Sequence, residues 1–124
     1  MIRSTDGTAL VSNLPNASVA ATTANVHAPA AATAAVLTFA AVGGKRYVLR
    51  GVEWSYSATP TGGNLKVENG SGVTVFNADV PAAGANSIVF EPPIVGSVNT
   101  ALVVTLASGA GAVVGKVNAR PYTE

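Results

Sequence analysis

Residues 45–57, KRYVLRGVEWSYS, constrain the fold more than any other stretch. A β-strand sends alternate side chains to opposite faces. Tyr47 and Leu49 share one face, and Arg46 and Arg50 share the other. Beyond Gly51 the apolar set is Val52, Trp54 and Tyr56, opposite Glu53 and Ser55. The apolar positions thus move from odd to even across Gly51. A period of two allows that only through an extra residue or a bend. Glycine within a strand is the usual place for such a bulge. The stretch predicts a long, bent, amphipathic central strand, which suits a sandwich or jelly roll better than a flat sheet.

The rest of the chain from residue 35 keeps the same period. Residues 35–41 give a first strand with Leu37 and Phe39 on one face. Residues 59–63, TPTGG, form a turn, with proline and glycine supplying its dihedrals. Leu65 and Val67 then point inward, with Lys66 and Glu68 outward. Asn69-Gly70-Ser71-Gly72 is a hairpin signal, because Asn-Gly accepts the positive φ of a tight turn. The return strand covers residues 73–77. Ile88 and Phe90 mark another strand, expected to stop at Pro92-Pro93, which cannot continue a ladder. In residues 99–107 both alternating sets are apolar or small, which predicts a strand buried on both faces or at a subunit contact. After a turn at residues 108–111, residues 112–122 close the domain with Lys116, Asn118 and Arg120 outward. Seven or eight short strands separated by turns predict an all-β, antiparallel β-sandwich, jelly-roll-like. Its domain covers residues 35–124.

Residues 1–34 differ in character. They are rich in Ala, Thr, Ser and Asn, and no charged residue occurs between Asp6 and Lys45. Thr22, Thr23, Asn25, Val26 and Pro29 oppose a helix, and no 3.6-residue period is sustained. The segment reads as an extended N-terminal arm with one short strand at most. Asp6, Asn13 and Pro15 break any apolar core of a signal peptide. The longest apolar run, residues 30–42, is too short to span a bilayer. These features predict a protein made in the cytoplasm, with no membrane partner.

Charged residues make up 10% of the chain and the net charge is +1, against about 25% charged in ordinary domains. That leaves no field to draw nucleic acid. An apolar, weakly charged surface marks contact with other chains. Cys is absent, which removes disulfides and thiolate metal sites. His27 is the single histidine, without a second His or Cys to share a metal or an orienting partner for catalysis. Residues 111–117 are one position short of a phosphate loop, and Val117 stands where Ser or Thr would hold magnesium. Glu53, Glu68, Asp79 and Glu91 could supply a glycosidase pair, but Glu68 beside Lys66 and Glu53 near Arg50 read as surface ion pairs. Trp54, Tyr56 and Tyr47 could form a sugar platform, yet Trp54 shares the inward face with Val52 and reads as core. The expectation is no enzyme, no cofactor, no metal and no small-molecule ligand. Arg46 and Arg50 form a small basic patch suited to an intersubunit contact.

The uncharged arm is followed by GGKRYVLRGVEWSYS, PTGGNLKVENGSGVTVF, a strand bounded by Pro-Pro, and NTALVVTLASGAG. In this order the chain resembles small structural proteins of tailed bacteriophages, particularly capsid decoration (cement) proteins. The resemblance covers residues 35–122 as a β pattern and the arm in character. It implies a homotrimer on the capsid surface of a virion, clamping neighbouring major capsid proteins, without catalysis. Expected contacts are Arg3, Leu10, Val11, Leu14 and Val19 in the arm, with Arg46 and Arg50 nearby. The alternative is a carbohydrate- or receptor-binding module of a tail fibre or spike, with Trp54 or Tyr56 exposed in a groove.

Overall fold

The computed structural model describes residues 24–27 and 30–124. It is all-β, with nine strands among these residues: β1 Ala24–His27, β2 Ala35–Phe39, β3 Tyr47–Tyr56, β4 Asn64–Asn69, β5 Thr74–Asp79, β6 Gly84–Val95, β7 Leu102–Leu106, β8 Gly115–Ala119 and β9 Tyr122–Thr123. They form two antiparallel sheets. Sheet I runs β1-β8-β3-β6, with β9 extending the line of β8 beside β3, and sheet II runs β2-β7-β4-β5. The pairs β1 with β8, β2 with β7, β3 with β6 and β4 with β5 nest inside one another. They describe one long hairpin rolled up until β3 also meets β8 and β4 also meets β7. That is the jelly-roll connectivity.

The switch of phase in β3 is present. Tyr47 and Leu49 lie in the core before Gly51, and Val52 and Tyr56 lie in it afterwards. Two residues, Arg50 and Gly51, stand between Leu49 and Val52 and carry the change. Both flanking strands yield at this level. Leu49 pairs with Ile94 and Gly51 with Val89, so β6 sets Phe90, Glu91, Pro92 and Pro93 against Arg50 alone. On the other side β8 ends at Ala119, opposite Val52, and β9 resumes at Tyr122, opposite Val48, across Pro121. The expected stop at Pro92-Pro93 is therefore corrected: β6 continues through both prolines. It can, because β6 is an edge strand and proline at an edge or bulge forfeits no ladder bond.

Gly51 is required by close approach. A Cβ placed there would lie 2.7 Å from the Ile88 carbonyl oxygen. At the hairpin between β4 and β5, Gly70 and Gly72 both have φ of +83°, as that turn demands.

The core lies between the sheets, with Leu65, Val67, Leu102, Val104 and Leu106 from sheet II facing Leu49, Val52, Tyr56 and Val117 from sheet I. Phe76 and Phe90 meet edge to face at 4.9 Å and close the side where β5 and β6 run. Val48 is also buried, on the opposite face of β3, where Tyr122 and Val95 are its cross-strand neighbours. In β7 the expectation of two buried faces is met on one. Val103 and Thr105 are half-buried, because their neighbours on β2 and β4 are Thr38, Val36, Glu68 and Lys66 at an open surface.

The Tyr56 hydroxyl donates to the Ala107 carbonyl at 2.6 Å and accepts from the Asn64 N–H at 3.4 Å, joining the two sheets. Burial raises its pKa above the usual 10.0, partly offset by the Asn64 hydrogen bond. The folded state thus favours the neutral phenol. Its contribution to stability is complete below pH 10 and is lost as pH rises through the raised value. Denaturant unfolding followed into alkaline pH should show this loss, and Tyr56→Phe should abolish it. Gly51→Ala should cost about 1–3 kcal/mol in the same measurement, because the methyl group meets backbone rather than a movable side chain.

Candidate interaction surfaces

The sequence-predicted residues Arg3, Leu10, Val11, Leu14 and Val19 lie outside the described residues. The described part of the arm, Ala24–His27, is strand β1 and pairs with β8 from Ala24–Ala119 to His27–Lys116. It is an edge strand of sheet I, so the sheet begins before residue 35.

Arg46 and Arg50 are both exposed, and their partners lie at the end of the same chain. Arg46 reaches the Glu124 carboxylate at 2.8 Å, while the two backbones exchange hydrogen bonds of 3.1 and 3.0 Å. Arg50 donates to the Tyr122 hydroxyl at 3.0 Å, and its guanidinium lies 5.5 Å from that ring centroid. Together they hold β9 beside β3. The expected neighbour of Glu53 was Arg50; it is Arg120, at 3.4 Å. Arg120 follows Ala119, which pairs with Val52, whereas Arg50 is turned toward Tyr122. Lys66 and Glu68 pair at 3.6 Å on the outer face of sheet II, and Glu68 also accepts from the Gly72 N–H at 3.1 Å.

The outer face of sheet I carries an open groove along β3. One half is lined by Arg50, Gly51, Glu53, Val89, Asn118 and Arg120. The other continues past Ser55, Ala85, Asn86 and Ser87. It exists because Gly51 has no side chain and because β6 sets the small Ser87 and Ala85 opposite Glu53 and Ser55. Its lining mixes polar side chains with Val89 and Ile88, and Trp54 borders its second half.

Trp54 differs from the expectation of a core residue. It is half-buried and packs against the core, but it also lines a small depression with Asp79, the loop 80–83 and Asn86. Its partner on β6 is Asn86, near the open end of the sandwich. Val80 of that loop turns into the core, and Pro81, Ala82 and Ala83 are too small to cover an indole. That loop composition was the available sequence signal, and the alternation in β3 outweighed it. Tyr56, by contrast, is buried.

No family model matches the chain, and no curated protein matches it. Among solved structures, it is similar to a chain of Bacillus endospore appendages, which form disulfide-linked pili, at 19% identity and a TM-score of 0.44 over 85% of this chain and 88% of that one. It is also similar to a chain of the virus-like particle of extra small virus from the giant freshwater prawn Macrobrachium rosenbergii, at 12% identity and a TM-score of 0.34 over 85% and 77% of the two chains.

The Arg46–Glu124 pair is 46% and 40% exposed, so solvent screens it. Glu124→Gln should change the unfolding free energy by less than about 1 kcal/mol, as read by urea denaturation.

Proposed function

We propose that this chain is a structural virion protein that docks on a phage capsid shell, cements neighbouring major capsid proteins and stabilises the head. One observation carries the reading. The uncharged Ala/Thr-rich segment supplies, in its described part, a strand that adds to a sheet edge through backbone pairing. Strand addition needs little from side chains, which suits a sequence almost without charges. The same chemistry lets an extended arm bind the edges of neighbouring subunits. Repeated over a symmetric lattice, weak contacts of this kind gain avidity. The resemblance to decoration proteins points the same way. In this reading the protein is a homotrimer on the virion surface, without catalysis, cofactor, nucleic acid or membrane contact. Arg3, Leu10, Val11, Leu14 and Val19 make the arm's contacts.

A receptor-binding reading has one observation in its favour. The Trp54 indole N–H makes no hydrogen bond to the described residues, and Asp79 and Asn86 share its depression. Sugars use such a combination of ring face and polar groups.

The two readings separate on truncation. Removing residues 1–23 leaves β1 in place, whereas a cut at residue 30 would strip an edge strand from sheet I. The shortened chain should keep its melting temperature and lose co-sedimentation with capsids. Retained capsid binding would sink the docking role of the arm. Quenching or enhancement of Trp54 fluorescence by oligosaccharides, equal in both forms, would favour the receptor reading.

A further inference from the structure

The outer faces of the two sheets differ in charge. Sheet I turns Arg50, Glu53, Glu91, Lys116 and Arg120 to the surface. Sheet II turns out two rows of side chains that the register aligns across its four strands. Val36, Thr105, Lys66 and Asn77 form the first row. Thr38, Val103, Glu68 and Thr74 form the second, one pleat further along, and Val75 joins it at the irregularity between Val67 and Glu68. Apart from Lys66, Glu68 and Asn77, both rows are Val and Thr. Val36 and Val75, on the two edge strands, are exposed. Lys66 and Glu68 lie 3.6 Å apart, so the middle of the face carries no net charge and can be covered without stranding an ion. Asp79 lies at one end of the face, opposite Asn64.

Such a face suits sheet-on-sheet packing, in which the side chains of two sheets interdigitate. The charges decide what lies on it. A two-fold axis in the plane of contact can run across the strands or along them. An axis across the strands, at the level where Val67 pairs with Val104, exchanges the two rows. β4 then lies on β4 of a second copy, and Lys66 of each copy comes opposite Glu68 of the other. Val36 comes opposite Thr38, and Thr105 opposite Val103. The flexible four-carbon stem of lysine reaches a carboxylate across such a layer. Asp79 falls over the uncharged turn 70–73 of the second copy. An axis along the strands keeps each row on itself. It sets Lys66 on Lys66 or on an uncharged residue of its own row, and Glu68 likewise, which gains nothing from charge.

We infer that two copies of this chain pack face to face through the outer surfaces of sheet II, about a two-fold axis that crosses β4 at Val67 and brings Lys66 of each copy to Glu68 of the other. This contact goes beyond the association proposed above. A two-fold contact cannot close a trimer, so it joins copies, or trimers, in pairs. The same surface serves both partners and is used up once they meet, which makes the contact self-limiting. A face four strands wide is small for an interface, so a single pair is weak.

Sedimentation velocity on the full chain, at concentrations up to about 1 mM, tests this. The wild-type protein should reach a species with an even number of copies, weakened by salt. Lys66→Glu alone sets carboxylates against carboxylates across the axis, and Glu68→Lys alone sets ammonium groups against ammonium groups. Each variant should associate at least about tenfold more weakly than wild type. Mixed in equal amounts, the two should pair with one another, because every introduced charge then faces its opposite. A role for the Lys66–Glu68 pair within one chain would not produce that rescue. Thermal melting checks that each variant folds. Val36→Asp and Val75→Asp, at exposed positions on the two flanks of the face, should also weaken association. They cover the case in which Glu68→Lys unfolds through loss of its contact with Gly72. An odd number of copies at every concentration, wild-type association in the folded reversal variants, a mixture whose folded variants stay apart, or undiminished association in both Val variants would overturn the inference. Capsid co-sedimentation of the same proteins is a separate readout. Pairs that ignore capsids would retain this inference and remove the cementing role, and a monomer that binds capsids would do the reverse.

Discussion

The structure depends on the contact between the backbone of β3 at Gly51 and the Ile88 carbonyl of β6. A central strand cannot leave the sheet, yet this one must turn different sequence parities toward the core at its two ends. The strand absorbs the change in two residues, and the second has no side chain. Its neighbours absorb the rest, β6 with four residues and two prolines, and the β8–β9 line with a break at Pro121. The core on both sides of the switch is then continuous. The surface is shaped by the same event. The missing side chain at Gly51 opens the groove on the outer face, and Val89, directly opposite, is left projecting beside it. A packing requirement in the interior thus creates the most distinctive relief on the exterior.

With few charges, their placement decides more than their number. Arg46 and Glu124 sit beside backbone pairing that already fixes β9. Exposed pairs of this kind add little stability; they select the position of the terminal strand. Glu53 and Arg120 neutralise each other over the groove. Outside the ion pairs, the described residues leave Lys45, Arg50 and Lys116 against Asp79 and Glu91, with Glu91 opposite Arg50 in the β3–β6 pairing.

Much of the sandwich was legible in the sequence, since half-buried strands write their faces as alternation. Leu37 and Phe39, Leu65 and Val67, and the parity switch at Gly51 are of this kind. The Asn69–Gly72 turn was legible because its dihedrals restrict residue choice. Strand order was not, because alternation says which face is buried and not which strand is adjacent. The prolines of β6 misled for that reason: their effect depends on edge position, a property of topology. Glu53 found Arg120 instead of Arg50 because pairing across strands follows register, invisible before the sheet is assembled. Trp54 read as core by parity, but parity does not report distance from the open end of a sandwich.

The two edges of sheet I lie on opposite sides of the sandwich. β1 is one edge of sheet I. The β6 edge lies three strand spacings away, about 14 Å at roughly 4.8 Å each. A contact on the β6 side therefore leaves the β1 edge clear. The order of strands makes this so: the rolled hairpin puts its earliest strands, β1 and β2, on one side and its middle strands, β5 and β6, on the other.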